Sequence, residues 1–167
     1  VDAADQLGDV GQRFIERTQP SLEAQLANFA DEIAYNNHDV DDGLRSGLIT
    51  LEQLLEVPLF RRHWEIANRL YPAVPERRRV NETIRRMINT LVLDLVVASQ
   101  KNIDRHQPAS IDDVRRMPSM IAFGAEVDAE SLHLKRFLRD ALYQHYRVQR
   151  MSTKGRRIVR ELFQAFL

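Results

Sequence analysis

The chain has 167 residues, 44% of them hydrophobic, and its 24 Lys+Arg are balanced by 24 Asp+Glu. That length supports one domain-sized core, and the charge balance argues against holding nucleic acid or a membrane by bulk charge alone. The absence of cysteine excludes disulfides and thiolate metal sites, and no uncharged apolar run is long enough to span a bilayer.

Residues 1–19 are polar and read as a loose lead-in with a short turn of helix around 12–17. They carry neither a basic start nor an apolar stretch of the secretory kind, so a soluble, cytoplasmic protein is the expectation. The chain starts at Val1, which fits processing, a missing start, or a fragment cut from a longer protein. From 20 to 167 the pattern is helical, predicting an all-α fold in a single domain with no strand, internal repeat or low-complexity tract.

The first long helix is bracketed by Pro20, which suits a helix's first turn, and by Gly47, a natural stop. Within it Asp31, Tyr35 and Asp39 recur at every fourth position, which places two acids and a phenol along one slowly drifting stripe, about 6 Å apart along the axis. Such a stripe can be a solvated acidic face. The small residues Ala24, Ala27, Ala30 and Ala34 favour the other reading, a crowded interior in which carboxylates need a cation or hydrogen-bond donors. Gly43 reads as a mild helical defect, costing about 1 kcal/mol against alanine at an exposed position.

Thr50 followed by Gln53 predicts a capping box for a short helix through Glu56, and Pro58 restarts the chain into LFRRHWEIANRLY, which Pro72 ends. Phe60, Trp64, Ala67 and Leu70 or Tyr71 recur at three- and four-residue spacing, so Trp64 is expected in the core and not as a ligand platform. Residues 76–106 carry the cleanest helical period: Val80, Ile84, Met87, Ile88, Leu91, Val92, Leu95, Val96, Ser99 and Ile103 predict a long buried central helix. Arg77, Arg78, Arg79, Arg85 and Arg86 crowd its N-terminal end, where the helix dipole disfavours cations; they read as a solvated cluster or as a phosphate or acidic-partner contact.

Residues 107–125 form a connector, with Ser110 and Asp113 capping a short turn and Pro118 and Gly124 punctuating it. Helix is predicted again over 129–150, and Ser152 is expected to cap a last helix holding Ile158, Val159, Leu162, Phe163 and Phe166. That apolar ending either packs inside or is followed by further sequence.

No glycine-rich phosphate loop and no GxSxG elbow occurs, and none of the five histidines stands in an HExxH-type zinc spacing. His38 and Asp39 form a literal His-Asp pair, but adjacent helical positions diverge by about 100° and do not easily share an ion. What remains is metal and polyphosphate chemistry, in which carboxylates hold divalent ions and arginines take phosphate oxygens.

The run PSLEAQ, then ADEIAY, then HDVDDGL resembles the late motif of the deoxynucleoside triphosphate triphosphohydrolases, the dGTPase-like branch of the His-Asp (HD) superfamily. RRMINTLVLDLV in the long helix and the ending HYRVQRMSTKGRRIVRELFQAFL are similar to that family too, so the resemblance covers nearly the whole chain beyond the lead-in. It implies an HD-type helical domain, here only its C-terminal half. Residue by residue, it implies that Asp31 is the last ligand of a divalent metal, Mg²⁺ or Mn²⁺, and that Tyr35 and Asp39 contact the deoxyribose. It implies structural roles for Glu32 and for Asp41 or Asp42.

The family's first histidine and its His-Asp dyad lie upstream of this motif, and no histidine precedes His38 here. His38 and Asp39 come after the final aspartate, so they are a decoy. One ligand of four is present, and this chain alone is expected to bind no catalytic ion and to be inactive. For the longer protein the resemblance implies hydrolysis of a dNTP to deoxynucleoside and triphosphate. Arg77 and Arg78 are candidate phosphate contacts, a homo-oligomer is expected, nucleic acid is a possible regulator, and no membrane partner is expected. The alternative is a non-catalytic helical module serving oligomerisation or nucleotide or nucleic-acid binding.

Overall fold

A computed structural model describes residues 8–167 and is all-α; the first part of the predicted lead-in, 1–7, lies outside the described residues. Among the described residues there are eight α-helices and one π-helical turn: α1 (Asp9–Glu16), α2 (Leu22–Ser46), α3 (Leu51–Leu55), α4 (Pro58–Leu70), α5 (Glu76–His106), α6 (Ile111–Arg116), α7 (Ala125–Leu138), the π turn (Arg139–Tyr143) and α8 (Tyr146–Phe166). The helix expected at 12–17 is therefore longer and starts earlier.

Local chemistry sets these boundaries. Ser21, not Pro20, opens α2: its hydroxyl accepts the Ala24 N–H at 3.3 Å, and Pro20 stands just before the cap. Gly47 closes α2 in the left-handed region, with φ 68°, where a side chain would be strained. The capping box of α3 forms as predicted: Thr50 Oγ1 accepts the Gln53 N–H at 3.2 Å and Gln53 Oε1 accepts the Thr50 N–H at 2.8 Å. Pro58 occupies the first turn of α4, and Ser110 caps α6 by accepting the Asp113 N–H at 3.2 Å.

The core is built on α5, which packs against α4 on one side and α2 on another, while α7 closes against α2 and α4. Met87, Leu91 and Leu95 of α5 meet Phe60 and Trp64 of α4, Ile33 and Val40 of α2, and Leu134 and Leu138 of α7 in one cluster. Trp64 is buried, stacked on Phe60 at a centroid distance of 6.2 Å, with the Arg79 guanidinium 5.3 Å above its ring. It is a core residue, as the spacing predicted. The connector is tied down by Gln25, whose Oε1 accepts from the Ser119 hydroxyl and from the backbone N–H of Met120 and Ile121 at 2.8, 3.1 and 3.3 Å. Asp94 of α5 likewise takes the Gly124 N–H at 2.7 Å, fixing the start of α7.

Four expectations are corrected. Gly43 is buried and no defect: a Cβ there would stand 2.5 Å from Ile49 Cδ1, so the turn after α2 folds back over the missing side chain. Ile88, Val92 and Val96 are not in the core but exposed, with Leu93 and Val97, because α5 is apolar around more of its circumference than the described helices cover. The helix predicted over 129–150 breaks: α7 widens into the π turn, in which the Gln144 N–H reaches the Arg139 carbonyl at 2.9 Å. Ser152 does not cap the last helix but lies inside α8, whose N-cap is His145, its Nδ1 accepting the Arg147 N–H at 3.2 Å. No residue of α8 is buried, so its apolar face is unpartnered among the described residues. No helix among the described residues is long and apolar enough to cross a membrane.

Candidate functional site

Asp31, Tyr35 and Asp39 do share one side of α2, but that side is open rather than crowded. Asp31 is exposed and Tyr35 is 48% exposed, and Ala24, Ala27, Ala30 and Ala34 are exposed as well. The small residues that predicted close packing have no described helix against them.

Asp39 is treated differently. It is half-buried, and the hydroxyl of Tyr143, at the end of the π turn, donates to its Oδ2. Burial first, then the Asp39 carboxylate and the adjacent Tyr35 phenol, push the Tyr143 phenol up from the usual tyrosine range, so it remains a donor at any physiological pH. Tyr35, Asp39 and Tyr143 thus form one polar group spanning α2 and the π turn. Sequence reasoning missed Tyr143, because it lies 104 positions from Asp39 and the predicted uninterrupted helix gave it no reason to face α2. The available signal was the apolar period, which runs through Leu134 and Leu138 to Leu142 and then stops.

Two other acids of α2, Glu32 and Asp41, are paired with cations. Glu32 receives Lys135 at 2.6 Å and the Ser131 hydroxyl at 3.4 Å from α7, and Asp41 pairs with Arg45 at 3.3 Å. His38 and Asp39 diverge: His38 lines a groove between α2 and α5, whereas Asp39 points to Tyr143. No group of three or more His, Asp or Glu able to hold a metal occurs among the described residues.

The arginine cluster divides in the same way. Arg79 covers Trp64 and donates to Asn68 Oδ1 at 2.7 Å, while Arg85 and Arg86 converge on Glu82, each at 2.8 Å, which holds that carboxyl below its usual range. Arg77 lines a cleft with Asp41, Arg45 and Asn81; Arg78 is exposed outside it.

A family model described as a phosphohydrolase-associated domain matches residues 121–167, the stretch that carries α7, the π turn and Tyr143. Proteins named deoxyguanosinetriphosphate triphosphohydrolase-like match almost the entire chain: one from Bordetella pertussis is 66% identical over 164 residues, or 98% of this chain. The chain corresponds to a C-terminal portion of the dGTPase-like family. A relative from Ralstonia nicotianae is 58% identical over 96% of the chain, and one from Nitrosomonas europaea 52% identical over 96%. The chain spans less than half the length of these relatives, 43% of the Bordetella and Nitrosomonas proteins and 42% of the Ralstonia protein. The names of these relatives point to a dGTPase-like phosphohydrolase, and the match is to less than half of their length.

Proposed function

We propose that this chain is the C-terminal part of a metal-dependent dNTP triphosphohydrolase, which converts a dNTP and water to deoxynucleoside and inorganic triphosphate. The observation that carries the reading is the Tyr143 hydroxyl bonded to Asp39 beside Tyr35. An ionised carboxylate offers about four acceptor sites, and Tyr143 uses one. The remaining ones accept a sugar hydroxyl, with the Tyr35 ring against the sugar carbons. A 2′-hydroxyl placed against that ring would be desolvated without a partner, which disfavours ribonucleotides.

Asp31 is of the right chemical type for a hard divalent cation, but one exposed carboxylate does not make a metal centre. Its role is to supply one ligand to Mg²⁺ or Mn²⁺, with the rest coming from the part of the protein outside these residues. Such an ion, when bound, polarises a phosphoryl oxygen and lowers the pKa of water. Arg77, beside Arg45, is the better placed of the two candidate phosphate contacts; Arg78 lies outside that cleft. Homo-oligomerisation also belongs to this reading, since α8 leaves a whole apolar face available.

The test is triphosphate release from dGTP and the other dNTPs with Mg²⁺ or Mn²⁺, comparing the full-length protein, its Asp31→Ala variant and the 167-residue chain. Release is expected only from the unsubstituted full-length protein. Undiminished release by Asp31→Ala overturns the ligand assignment, and absence of release from the full-length protein overturns the activity.

A further inference from the structure

Two sets of polar contacts join α2 to the helix that begins at Ala125. Near its start, the Ser131 hydroxyl and the Lys135 ammonium both meet Glu32, at 3.4 and 2.6 Å. At its far end, Tyr143 meets Asp39. Ser131 and Lys135 stand about 40° apart round their helix axis, so together they mark the line along which α7 faces α2. Glu32 and Asp39 share one side of α2 in the same way, about 20° apart and about 10 Å along the axis.

An α-helix continued from α7 would not bring Tyr143 to that line. At about 100° per residue, Tyr143 would stand about 120° round the axis from Ser131 and about 80° from Lys135, with its hydroxyl turned away from α2. The π turn removes the discrepancy. Its Gln144 N–H reaches back five residues, to the Arg139 carbonyl at 2.9 Å, so the turn takes up one residue more than an α turn. Tyr143 thereby falls about 100° short of its α position, at about 20° from Ser131 and between Ser131 and Lys135. Leu138 and Leu142 both stay buried, so the core loses nothing by the slip.

Nothing in the turn's own sequence, RDALY, demands the wider geometry: it holds no proline or glycine, and Arg139 and Asp140 are exposed and paired with each other at 2.9 Å. We infer that the π turn is a phase-setting joint, one extra helical residue that aims Tyr143 at Asp39 and makes Tyr143 a positioning residue for the proposed sugar site. Gln149 of α8 secures the joint from beyond, its Nε2 donating to the Tyr143 carbonyl at 2.7 Å. Relaxation of the turn to α geometry would carry Tyr143 about 100° away and leave Asp39 without its donor. The consequence for catalysis rests on the sugar reading above, whereas the joint itself rests on the contacts of Glu32 and Asp39.

Changing the number of residues in the turn of the full-length protein tests it. Deleting Asp140 leaves an ordinary α turn that presents Tyr143 at the same angle, whereas inserting one alanine after Asp140 carries Tyr143 about 100° or more off the line. Each change is combined with Tyr143→Phe, with Asp39→Ala and with both, and the urea midpoints are compared. The deletion is expected to fold and to keep the two substitutions as strongly non-additive as in the unaltered protein, because the bond persists. In the insertion their effects are expected to add. Additive effects in the folded deletion, or undiminished coupling in the insertion, overturn the proposal. A deletion that does not fold also overturns it, since a joint that only sets phase is dispensable once fewer residues supply that phase. If the insertion does not fold, the deletion decides alone. The ratio of triphosphate release from a dNTP to that from its ribonucleotide is expected to stay within about twofold in the deletion and to fall about tenfold in the insertion. Midpoints that behave as expected with an unchanged ratio in the insertion leave the joint standing and refute the sugar reading alone.

Discussion

Replacing Tyr143 by Phe in the full-length protein removes one oxygen and leaves the ring, so it isolates the contact on which the proposed sugar site depends. The lost bond is donated to a carboxylate, and hydrogen bonds to charged groups contribute about 1.5–3 kcal/mol net. Asp39 is half-buried, so water recovers part of this in the free enzyme, and the stability loss is expected near 1 kcal/mol. In the bound complex the sugar excludes that water, and a loss toward the lower end of the full range corresponds to a fall of about tenfold in kcat/KM. The assay is triphosphate release over a range of dNTP concentrations, with each dNTP compared to its ribonucleotide. The dNTP rate is expected to fall more than the ribonucleotide rate, narrowing discrimination, because Asp39 is no longer held against Tyr35. Asp39→Asn alone and the double variant complete a cycle, and the two effects are expected to be strongly non-additive. A folded Tyr143→Phe protein with unchanged kcat/KM, or strictly additive losses in the cycle, would refute the reasoning.

Two further perturbations test the scaffold. Gly43→Ala forces a methyl to within 2.5 Å of Ile49 Cδ1, and Ile49 is fully buried, so overpacking of about 1–3 kcal/mol outweighs the roughly 1 kcal/mol gained in helix propensity. A lower urea midpoint at constant m is expected, and a raised midpoint would show that the turn yields easily. His63 provides a pH dependence. Its ring nitrogens are buried without partners among the described residues, and burial, with Arg62 and Arg86 nearby, lowers its pKa to about 4 from 6.5. The unfolded chain therefore takes up a proton from pH 6.5 downward that the folded chain refuses until about pH 4, and stability falls across that window. Screening near the protein surface reduces the full effect to about 1–2 kcal/mol. His63→Leu should flatten the midpoint-versus-pH profile between pH 6.5 and 4, and an unaltered slope would remove His63 as its source.

Capping and periodicity made the helices legible. Thr50 and Ser110 accept the expected backbone N–H groups, because a short hydroxyl side chain acts within its own turn and needs no tertiary partner. The same locality explains the failures. Gly43 reads as a defect until Ile49 is seen folded over it, and the break at Arg139–Tyr143 is a π turn that carries no proline or glycine to announce it. Val92 and Val96 show another limit: their spacing establishes that they are apolar neighbours on α5, but not whether a partner for them lies within these residues. At the candidate site, Asp31, Tyr35 and Asp39 were legible as a stripe because all three belong to one helix. Tyr143 was not, because tertiary approach alone brings it there.

The acids of α2 show how one helix separates support from chemistry. Glu32 and Asp41 have cations, and Asp39 has a phenolic donor; Asp31 and Asp42 have neither among the described residues. Asp31 and Asp42 lie eleven positions apart, so they fall on nearly the same side of the helix but about 16 Å apart along its axis, too far to share an ion. Asp42 sits beyond the Tyr35–Asp39 group at the distal end, whereas Asp31 sits one turn before Tyr35, next in the chain to Ala30, which lines the groove between α2 and α5. A carboxylate left unneutralised there faces a choice between water and a cation brought by another segment. The first accounts for Asp42, which is exposed. For Asp31 the proposed ligand role is the second, since a segment laid over the exposed alanines beside it would remove the water and leave the charge in need of a cation.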